Sequence, residues 1–434
     1  MTDYKTNFFR EYNTICKDYT YTPFIIDGVD RIVVFGDIHG DYKMAIKLLL
    51  MSGVAVIDSF EKDFNNQKTK KCKDSKLKYI NDRKIDEDDD DCDEDDNLKE
   101  DVRNDIRYKN TIIRKDVIYK MKWTGGKTHV VQVGDQVDRC RVYGSMRCEL
   151  PETTLNDEDS DVKVLKLFTD LDEQAVKVGG RVISLLGNHE LNNALGNMDY
   201  VSYKGIEGFD NYKDPKTGNK FSSGLEARKH AFHPGNELGV FLGCTRNPAV
   251  IIGSNLFVHA GFVNKLISEQ DRKGNKLENY TFRLNYNSKY YNKKPYLFKD
   301  RQDFENINIL IKRWLLNKVS TNKVKSIITD PSQEKSIFWT RILGMLKTQL
   351  PYDDKQCVNN IDKILELFKI NNIIVGHTPQ SFQHNLNINA TCDNKIWRVD
   401  TGSSAAFDRY DTTYIRTGNI LEERKFQYLE ILND

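Results

Sequence analysis

The chain lacks the features that mark secreted, membrane and nucleic-acid-binding proteins. Its start has no apolar signal core, and no stretch approaches the length of a membrane span. Its 65 basic and 64 acidic residues leave a net charge of +1, so no overall positive field favours nucleic acid or an anionic membrane. The eight cysteines include no C-x-x-C pair, which is typical of reduced thiols and not of a disulfide frame. The sequence therefore predicts a cytoplasmic protein with no nucleic-acid or membrane partner.

Two polar insertions interrupt what is otherwise predicted to be a single catalytic domain over 1–434. Residues 61–110 consist largely of Lys, Asn and Asp, with an acidic block at 86–96, and such blocks usually remain solvated and disordered. A calcium loop is excluded there because no glycine sits in mid-loop to make the sharp turn. The second insertion, 264–335, is rich in Asn, Lys, Tyr and Phe and is predicted to border the active site.

Hydrophobic periodicity predicts a layered α/β fold, because strands alternate with helices in the first half and strands dominate the end. The predicted strands are 31–36, 115–122, 129–134, 181–186, 248–253, 255–259 and 371–376, with more strands towards the end. The predicted helices are 41–51, 161–178, 189–196, 222–232, 236–243, 303–319 and 355–369.

Five of the apolar runs end in a small residue or tight turn followed by Asp, Asn or His. The residues in these positions are Asp37 and His39, Asp135, Asn188 with His189, His259, and His377. Four of the eight histidines therefore follow apolar strands directly, which chance rarely arranges. A sheet delivers side chains to a site at its carboxyl edge in this way. The alternative is a set of histidines that are hydrogen-bonded in loops and core.

The ligand types at these strand ends predict two divalent metal ions. Asp37 and His39 point the same way in extended chain, and Asp135 stands where one carboxylate can bridge both ions. Asn188 adds a neutral oxygen ligand, and His259 and His377 complete the set of ligands around the second ion. Oxygen and imidazole ligands without a cysteine cage suit Mn, Fe or Zn, and the sequence does not choose among them.

Three further residues in the same segments carry the rest of the predicted chemistry. His189 adjoins Asn188 and cannot easily share its ion, so it is predicted to be the general acid, with Asp138 holding its other ring nitrogen. Arg139 carries a planar donor fork suited to phosphate. A local salt bridge between Asp138 and Arg139 is the alternative.

The ordered set of segments resembles the calcineurin-like metallophosphoesterase superfamily, in its phosphoprotein phosphatase branch, and is most similar to the Shewanella-like protein phosphatases. The segments are Gly36-Asp37-Ile38-His39-Gly40, Gly134-Asp135-Gln136-Val137-Asp138-Arg139, Gly187-Asn188-His189-Glu190, Val258-His259-Ala260-Gly261 and Gly376-His377-Thr378. The flanking segments are Leu191-Asn192-Asn193, Ala231-Phe232-His233-Pro234-Gly235-Asn236-Glu237-Leu238 and Phe338-Trp339-Thr340-Arg341. The resemblance leaves both insertions uncovered.

The resemblance implies a central β-sandwich of two mixed sheets flanked by helices, and it implies the six metal ligands and the His189–Asp138 pair named above. It also implies a second phosphate-binding arginine, for which Arg341 is the best match, with Arg228 and Arg246 left open. The chain departs from the family at Cys140, where glycine is usual, and a thiol beside the metals suggests sensitivity to oxidation.

The predicted function is hydrolysis of phosphomonoesters by a hydroxide held between two metal ions, with a phosphoprotein or phosphopeptide as substrate. Ser/Thr and Tyr specificity are both open. A dinucleoside polyphosphate hydrolase is the first alternative, because those relatives share the scaffold and carry an Asp-Thr-Gly like Asp400-Thr401-Gly402. A phosphate-recognition protein with weak or no turnover is the second.

Overall fold

A computed structural model describes residues 2–62, 113, 117–141, 146–267, 298–329, 336–384, 387–411 and 424–433. The described strands are β1 (Ile25–Ile26), β2 (Arg31–Phe35), β3 (Ala55–Lys62), β4 (Val117–Trp123), β5 (His129–Gln132), β6 (Arg181–Leu185), β7 (Arg246–Asn247), β8 (Ala249–Ile252), β9 (Asn255–Val258), β10 (Asn372–Val375), β11 (Asn389–Thr391), β12 (Ile396–Arg398) and β13 (Leu429–Leu432). Each strand that was predicted individually is present within a few residues of its predicted ends.

Helices of varied length connect these strands. The described helices are α1 (Thr2–Ile15), α2 (Tyr42–Met51), α3 (Asp161–Val176), α4 (Asn188–Leu195), α5 (Tyr203–Glu207), α6 (Gly224–Phe232), α7 (Glu237–Thr245), α8 (Gln302–Leu315), α9 (Thr321–Ile328), α10 (Ile342–Met345), α11 (Lys355–Phe368) and α12 (Gln380–His384). Asp41 caps α2 as predicted, because its side chain accepts a hydrogen bond from the Met44 amide at 2.9 Å. Among the described residues, no helix has the length and apolarity to cross a membrane.

Two mixed sheets pack face to face at the centre, which confirms the predicted fold. One has the strand order β1-β8-β9-β10-β12-β11 and the other β13-β2-β5-β6-β7, while β3 and β4 pair separately. Side chains such as Val131 and Leu185 from one sheet and Phe257 and Ile374 from the other share a fully buried cluster between them. Helices α2 and α3 cover the outer face of the second sheet, and α1, α6, α7, α8 and α11 cover that of the first.

The structure adds elements that hydrophobic periodicity missed. Helix α1 precedes the predicted start of the core and packs against α8 through buried Phe8 and Tyr12. The single helix predicted near 303–319 is two helices, α8 and α9, because Asn317 adopts a left-handed φ of 58° between them. The insertion predicted at 61–110 lies outside the described residues apart from the end of β3, and so does the part of the second insertion from 268 to 297.

The expectation of reduced thiols is wrong, because three disulfides pair six of the eight cysteines. Cys16–Cys244 joins the residue after α1 to α7, Cys357–Cys392 joins α11 to the residue after β11, and Cys140–Cys148 closes a short loop. The cysteine spacing could not reveal the first, since its partners are 228 positions apart. Disulfides form and persist in oxidising environments, so cysteine usage no longer supports a cytoplasmic location.

Buried Lys312 on α8 is expected to make stability depend on pH. Its ammonium donates to the carbonyl of Arg246 at 2.8 Å, and burial, with the charges of Arg246 and Arg181, lowers its pKa from 10.5 to about 7. The unfolded chain therefore binds a proton that the folded chain lacks between these two values, and stability rises with pH across that window. We expect a rise of up to about 1.4 kcal/mol per pH unit above pH 7 that Lys312→Met lacks. Urea unfolding of both proteins at several pH values measures it, and parallel pH profiles would contradict it.

Candidate metal centre

The candidate site lies at the carboxyl ends of strands from both sheets. In the second sheet, parallel strands β2, β5 and β6 lead to Asp37 and His39, to Asp135, and to Asn188 with His189. In the first sheet, parallel strands β9 and β10 lead to His259 and His377. The structure thus brings all six predicted metal ligands to one place, and each is at most 6% exposed.

Several site residues hold backbone conformations that ordinary residues avoid. His39, Asp135, Asp138 and His377 have φ values of 49°, 52°, 70° and 65°, in the left-handed region. Each such residue costs about 1–3 kcal/mol, which the surrounding structure must offset. The turns after the strands therefore direct these side chains towards the candidate site, and this costs folding stability, as is typical of functional sites.

Glycines let the carboxylates approach the neighbouring backbone. A Cβ on Gly187 would lie 2.1 Å from Oδ1 of Asp135, and a Cβ on Gly376 would lie 2.2 Å from Oδ1 of Asp37. Neither position accepts another residue without moving a predicted ligand. The glycines in the Gly-Asn-His-Glu and Gly-His-Thr segments are thus required by close approach.

Four of the predicted ligands fall into two overlapping groups, and the predicted general acid His189 joins the first of them. Potential ligand atoms of His39, Asp135 and His189 lie within 4.8 Å of one another, and so do those of Asp135, His259 and His377. Asp135 is common to both groups, as a bridging carboxylate must be. The fifth ligand, Asp37, places Oδ2 3.9 Å from Nε2 of His39.

Direct contacts complete the second group. Nε2 of His259 lies 2.9 Å from Oδ1 of Asn188 and 3.3 Å from Oδ2 of Asp135. Its other ring nitrogen, Nδ1, lies 3.0 Å from the carbonyl of Val133, which fixes the ring orientation. The amide of His377 donates to Oδ2 of Asp37 at 3.0 Å and so connects the two groups.

Glu190 holds the loop that carries Asp135, and this role was not predicted from the sequence. Its buried carboxylate accepts hydrogen bonds from the amides of Asp135, Gln136 and Gly187 at 3.0, 2.7 and 2.6 Å. The Gly-Asn-His-Glu segment thus contains a predicted ligand, Asn188, the predicted general acid, His189, and the residue that holds the Asp135 loop. An acidic residue in the first turn of a helix signals capping, and that signal was available.

The predicted acid His189 is held by a buried chain of polar groups. Its Nδ1 lies 2.8 Å from Oδ2 of Asp138, and its Nε2 lies 3.8 Å from Oδ2 of Asp135. Oδ1 of Asp138 in turn accepts hydrogen bonds from Asn193 at 2.8 Å and from Arg228 at 3.2 Å. Nδ1 therefore faces the orienting carboxylate, and Nε2 faces the metal ligands.

The structure does not bring Arg139 to the ligand groups. Its guanidinium donates to Glu158 at 2.7 Å, to the carbonyl of Gly40 at 3.0 Å and to that of Asn156 at 3.0 Å. Only 2% of the residue is exposed. Burial is the largest influence on its pKa, but the charges of Glu158 and Asp41 outweigh it and raise that pKa. In this structure the guanidinium of Arg139 pairs with Glu158, whereas the predicted alternative was a local salt bridge with Asp138.

The three other arginines considered for phosphate differ in position. Arg228 is fully buried between Asp138 and Asp161, and Arg246 is buried against Gln136 and Thr169. Arg341 is exposed, directly before α10, and its positive charge contributes to the lowered pKa of His377. Of these three, Arg341 alone combines exposure with proximity to the ligand groups.

Electrostatics at the site favour bound cations. Burial, and then the charges of Asp400 and Asp135, raise the pKa of Asp37, while burial raises that of Asp400 to about 6. Burial lowers the pKa of His39 and of His377, which keeps those imidazoles in the neutral, metal-binding form. Oδ2 of Asp400 has no hydrogen-bond partner among the described residues. Crowded carboxylates with neutral imidazoles fit a pair of divalent cations.

No protein-family model matches the chain. An uncharacterized protein of Acanthamoeba polyphaga mimivirus is 37% identical over 273 residues, which are 61% of this chain and 97% of that protein. Shewanella-like protein phosphatase 2 of Arabidopsis thaliana is 28% identical over 171 residues, 33% of this chain and 39% of that protein. The solved structure of a cold-active protein tyrosine phosphatase aligns with a TM-score of 0.51 and 18% identity, over 97% of this chain and 78% of that one.

Proposed function

Because the chain belongs to the Shewanella-like protein phosphatases of the metallophosphoesterase superfamily, we propose that it is a metal-dependent phosphatase that removes phosphate from phosphoproteins or phosphopeptides. The observation that carries the proposal is the sharing of Asp135 between two buried ligand groups. A carboxylate so placed is the arrangement that two-metal phosphoester hydrolysis requires.

Six residues are proposed to hold two divalent cations of the Mn, Fe or Zn class. Asp37 and His39 would bind the first, Asn188, His259 and His377 the second, and Asp135 both. Such a metal pair lowers the pKa of water and neutralises charge on phosphoryl oxygens. The proposed ligands of the second cation come from both sheets. The packing of the two sheets against each other therefore sets the distance between the two cation positions.

His189 is proposed to protonate the leaving oxygen. Asp138 accepts from Nδ1 at 2.8 Å, so Nε2 is the ring nitrogen available to exchange a proton with the substrate. Arg228 and Asn193 fix Asp138 and thereby the ring. The imidazolium that donates the proton is stabilised by the same buried carboxylate.

One experiment tests this function against its two alternatives. The full chain, loaded with Mn, is incubated with p-nitrophenyl phosphate, with phosphoserine, phosphothreonine and phosphotyrosine peptides, and with diadenosine tetraphosphate. We expect hydrolysis of the nitrophenyl ester and at least one peptide class. Preference for the dinucleotide would favour the polyphosphate hydrolase, and phosphate binding without turnover would favour the recognition protein. The cytoplasmic location stays a prediction, which fractionation of expressing cells tests.

Arg341 is proposed as a phosphate-binding residue at the exposed rim of the site. Arg341→Lys keeps the charge but loses the planar fork, so it should raise KM for a phosphopeptide and weaken inhibition by inorganic phosphate together, by roughly 10-fold. Arg313→Lys is the matched control, because that guanidinium pairs with Glu11 on α1. Lowered stability with an unchanged phosphate inhibition constant would mean that Arg341 is only structural.

A further inference from the structure

The two arginines that follow Asp138 point in different directions. The guanidinium of Arg139 is bonded to Glu158 and two carbonyls, away from the ligand groups. The guanidinium of Arg141 reaches the ligand groups instead, with Nη2 2.5 and 2.6 Å from the ring nitrogens of His39. Arg139, the arginine of the sequence motif, is thus bonded away from the ligand groups. Arg141, two residues later, lies against them instead.

One arm of Arg141 is anchored and the other faces the ligand groups. Nη1 donates to the carbonyl of Cys140 at 2.7 Å and to that of Asp138 at 3.2 Å. The planar group also lies over the rings of Phe407 and Tyr200, with its central carbon 5.0 and 5.9 Å from their centroids. These contacts orient the fork, so that Nη2 is aimed at the ligand groups while Nη1 is held by backbone.

Carboxylates surround the guanidinium of Arg141, but two of them are engaged by other groups. The carboxylates of Asp135, Asp138 and Asp400 attract this guanidinium. Two of these carboxylates have other partners, since Asp135 is a proposed metal ligand and Asp138 holds His189. A guanidinium held next to divalent cations is repelled by them unless negative charge lies between. A phosphoryl group supplies that charge with the geometry that a guanidinium fork matches.

A disulfide fixes the chain on which Arg141 sits. Cys140 is fully buried, its amide donates to the carbonyl of Tyr200 at 3.1 Å, and its sulfur is bonded to Cys148. The Cys148 side is fixed in turn, because the neighbouring carbonyl of Arg147 accepts from the hydroxyl of Thr153 at 2.7 Å. The residue preceding Arg141 is therefore tied at both its amide and its side chain.

We propose that Arg141, and not Arg139, binds the substrate phosphoryl group, and that the Cys140–Cys148 disulfide positions it. This inference rests on the proposed phosphatase function and names a residue that the sequence motif does not. It also means that phosphate affinity depends on the disulfide. A phosphine such as tris(2-carboxyethyl)phosphine breaks the sulfur–sulfur bond to two thiols and becomes the phosphine oxide with oxygen from water, which releases Cys140 from Cys148.

The first arm of the test measures inorganic phosphate binding to the full, metal-loaded chain by calorimetry, with metal content from elemental analysis. Arg141→Gln should raise the phosphate dissociation constant roughly 10–100-fold, the loss expected for hydrogen bonds to a charged group, and keep both metals. Arg147→Gln is the matched control in the same loop, because that exposed side chain pairs with Glu149. An unchanged constant for Arg141→Gln would overturn the assignment.

The second arm tests the disulfide. The double substitution Cys140→Ser/Cys148→Ser should weaken phosphate binding in the wild-type background but cause no further loss in Arg141→Gln. The control pair Cys16→Ser/Cys244→Ser removes a disulfide of another region and should lower the thermal midpoint alone. If the first double variant does not fold, folded wild type and Arg141→Gln are both treated with the phosphine, and mass mapping of the alkylated thiols identifies samples in which the Cys140–Cys148 bond is open. Equal losses in both backgrounds, or no loss in either, would overturn the positioning role.

The outcome for the wild-type protein separates this inference from the proposed function. A wild-type chain that binds two metals and phosphate but is insensitive to Arg141→Gln leaves the phosphatase assignment standing and removes Arg141 from it. A wild-type chain that binds neither metal nor phosphate overturns the proposed function and the role of Arg141 with it.

Discussion

Asp135→Asn should remove phosphatase activity and lower the content of both metals at once. A carboxylate shared by two ions loses its charge for each of them when it becomes an amide, whereas any other ligand serves one ion. The loss of metal affinity should exceed the roughly 10–100-fold typical of losing an outer-shell partner. Elemental analysis after dialysis, beside the rate with p-nitrophenyl phosphate, measures both effects.

The structure provides a matched control for this substitution. Asp214 is also a buried aspartate, but its carboxylate accepts from the amide of Lys216 and the hydroxyl of Thr217 in a turn. Asp214→Asn should therefore keep metal content and rate. Two tightly bound metals in Asp135→Asn would contradict the bridging role, and loss of one metal alone would assign Asp135 to a single ion.

His189→Asn should keep the metal content and lower kcat by about 10²–10⁴-fold, the usual contribution of a general acid. The loss should depend on the leaving group. Nitrophenolate departs without a proton, so the loss should be small for the nitrophenyl ester and large for a phosphoserine peptide. The ratio of the two kcat values, wild type over variant, is the measurement.

Asp138→Asn serves as a second variant in the same test. It leaves the imidazole in place but replaces the carboxylate 2.8 Å from Nδ1, so it should lower kcat in the same leaving-group-dependent way. A uniform loss across leaving groups in His189→Asn would argue that this residue acts on the metals, and the 3.8 Å between its Nε2 and Oδ2 of Asp135 gives that outcome a structural basis.

The gathering of these side chains at one place could be predicted from the sequence because each position is dictated locally. A buried strand followed by glycine and then by Asp, Asn or His fixes both the direction of the chain and the edge of the sheet at which it ends. Parallel pairing of β2, β5 and β6, and of β9 and β10, then gathers these ends. Helix periodicity and the Asp41 cap were local signals of the same kind.

The features that sequence did not reveal depend on distant partners. Whether Arg139 or Arg141 faces the site depends on Glu158 and on the rings of Tyr200 and Phe407, none of which adjoins them in sequence. The disulfide pairing and the hold of Arg228 on Asp138 are long-range for the same reason. Helix α1 was missed because its mean hydropathy is low, although Tyr4, Phe8 and Tyr12 recur every four residues, the spacing of one buried helix face.

The hydrogen bond from the amide of His377 to Asp37 joins residues 340 positions apart. During synthesis, the first candidate ligands emerge from the ribosome long before the last, and at 5–20 residues per second the interval is roughly 20–70 s. Until then a nascent chain carries the carboxylates of Asp37 and Asp135 without the histidine that follows β10 of the first sheet. If the site binds two cations as proposed, newly made protein should acquire the second one late, and pulse-labelled chains should remain sensitive to protease until residue 377 has been added.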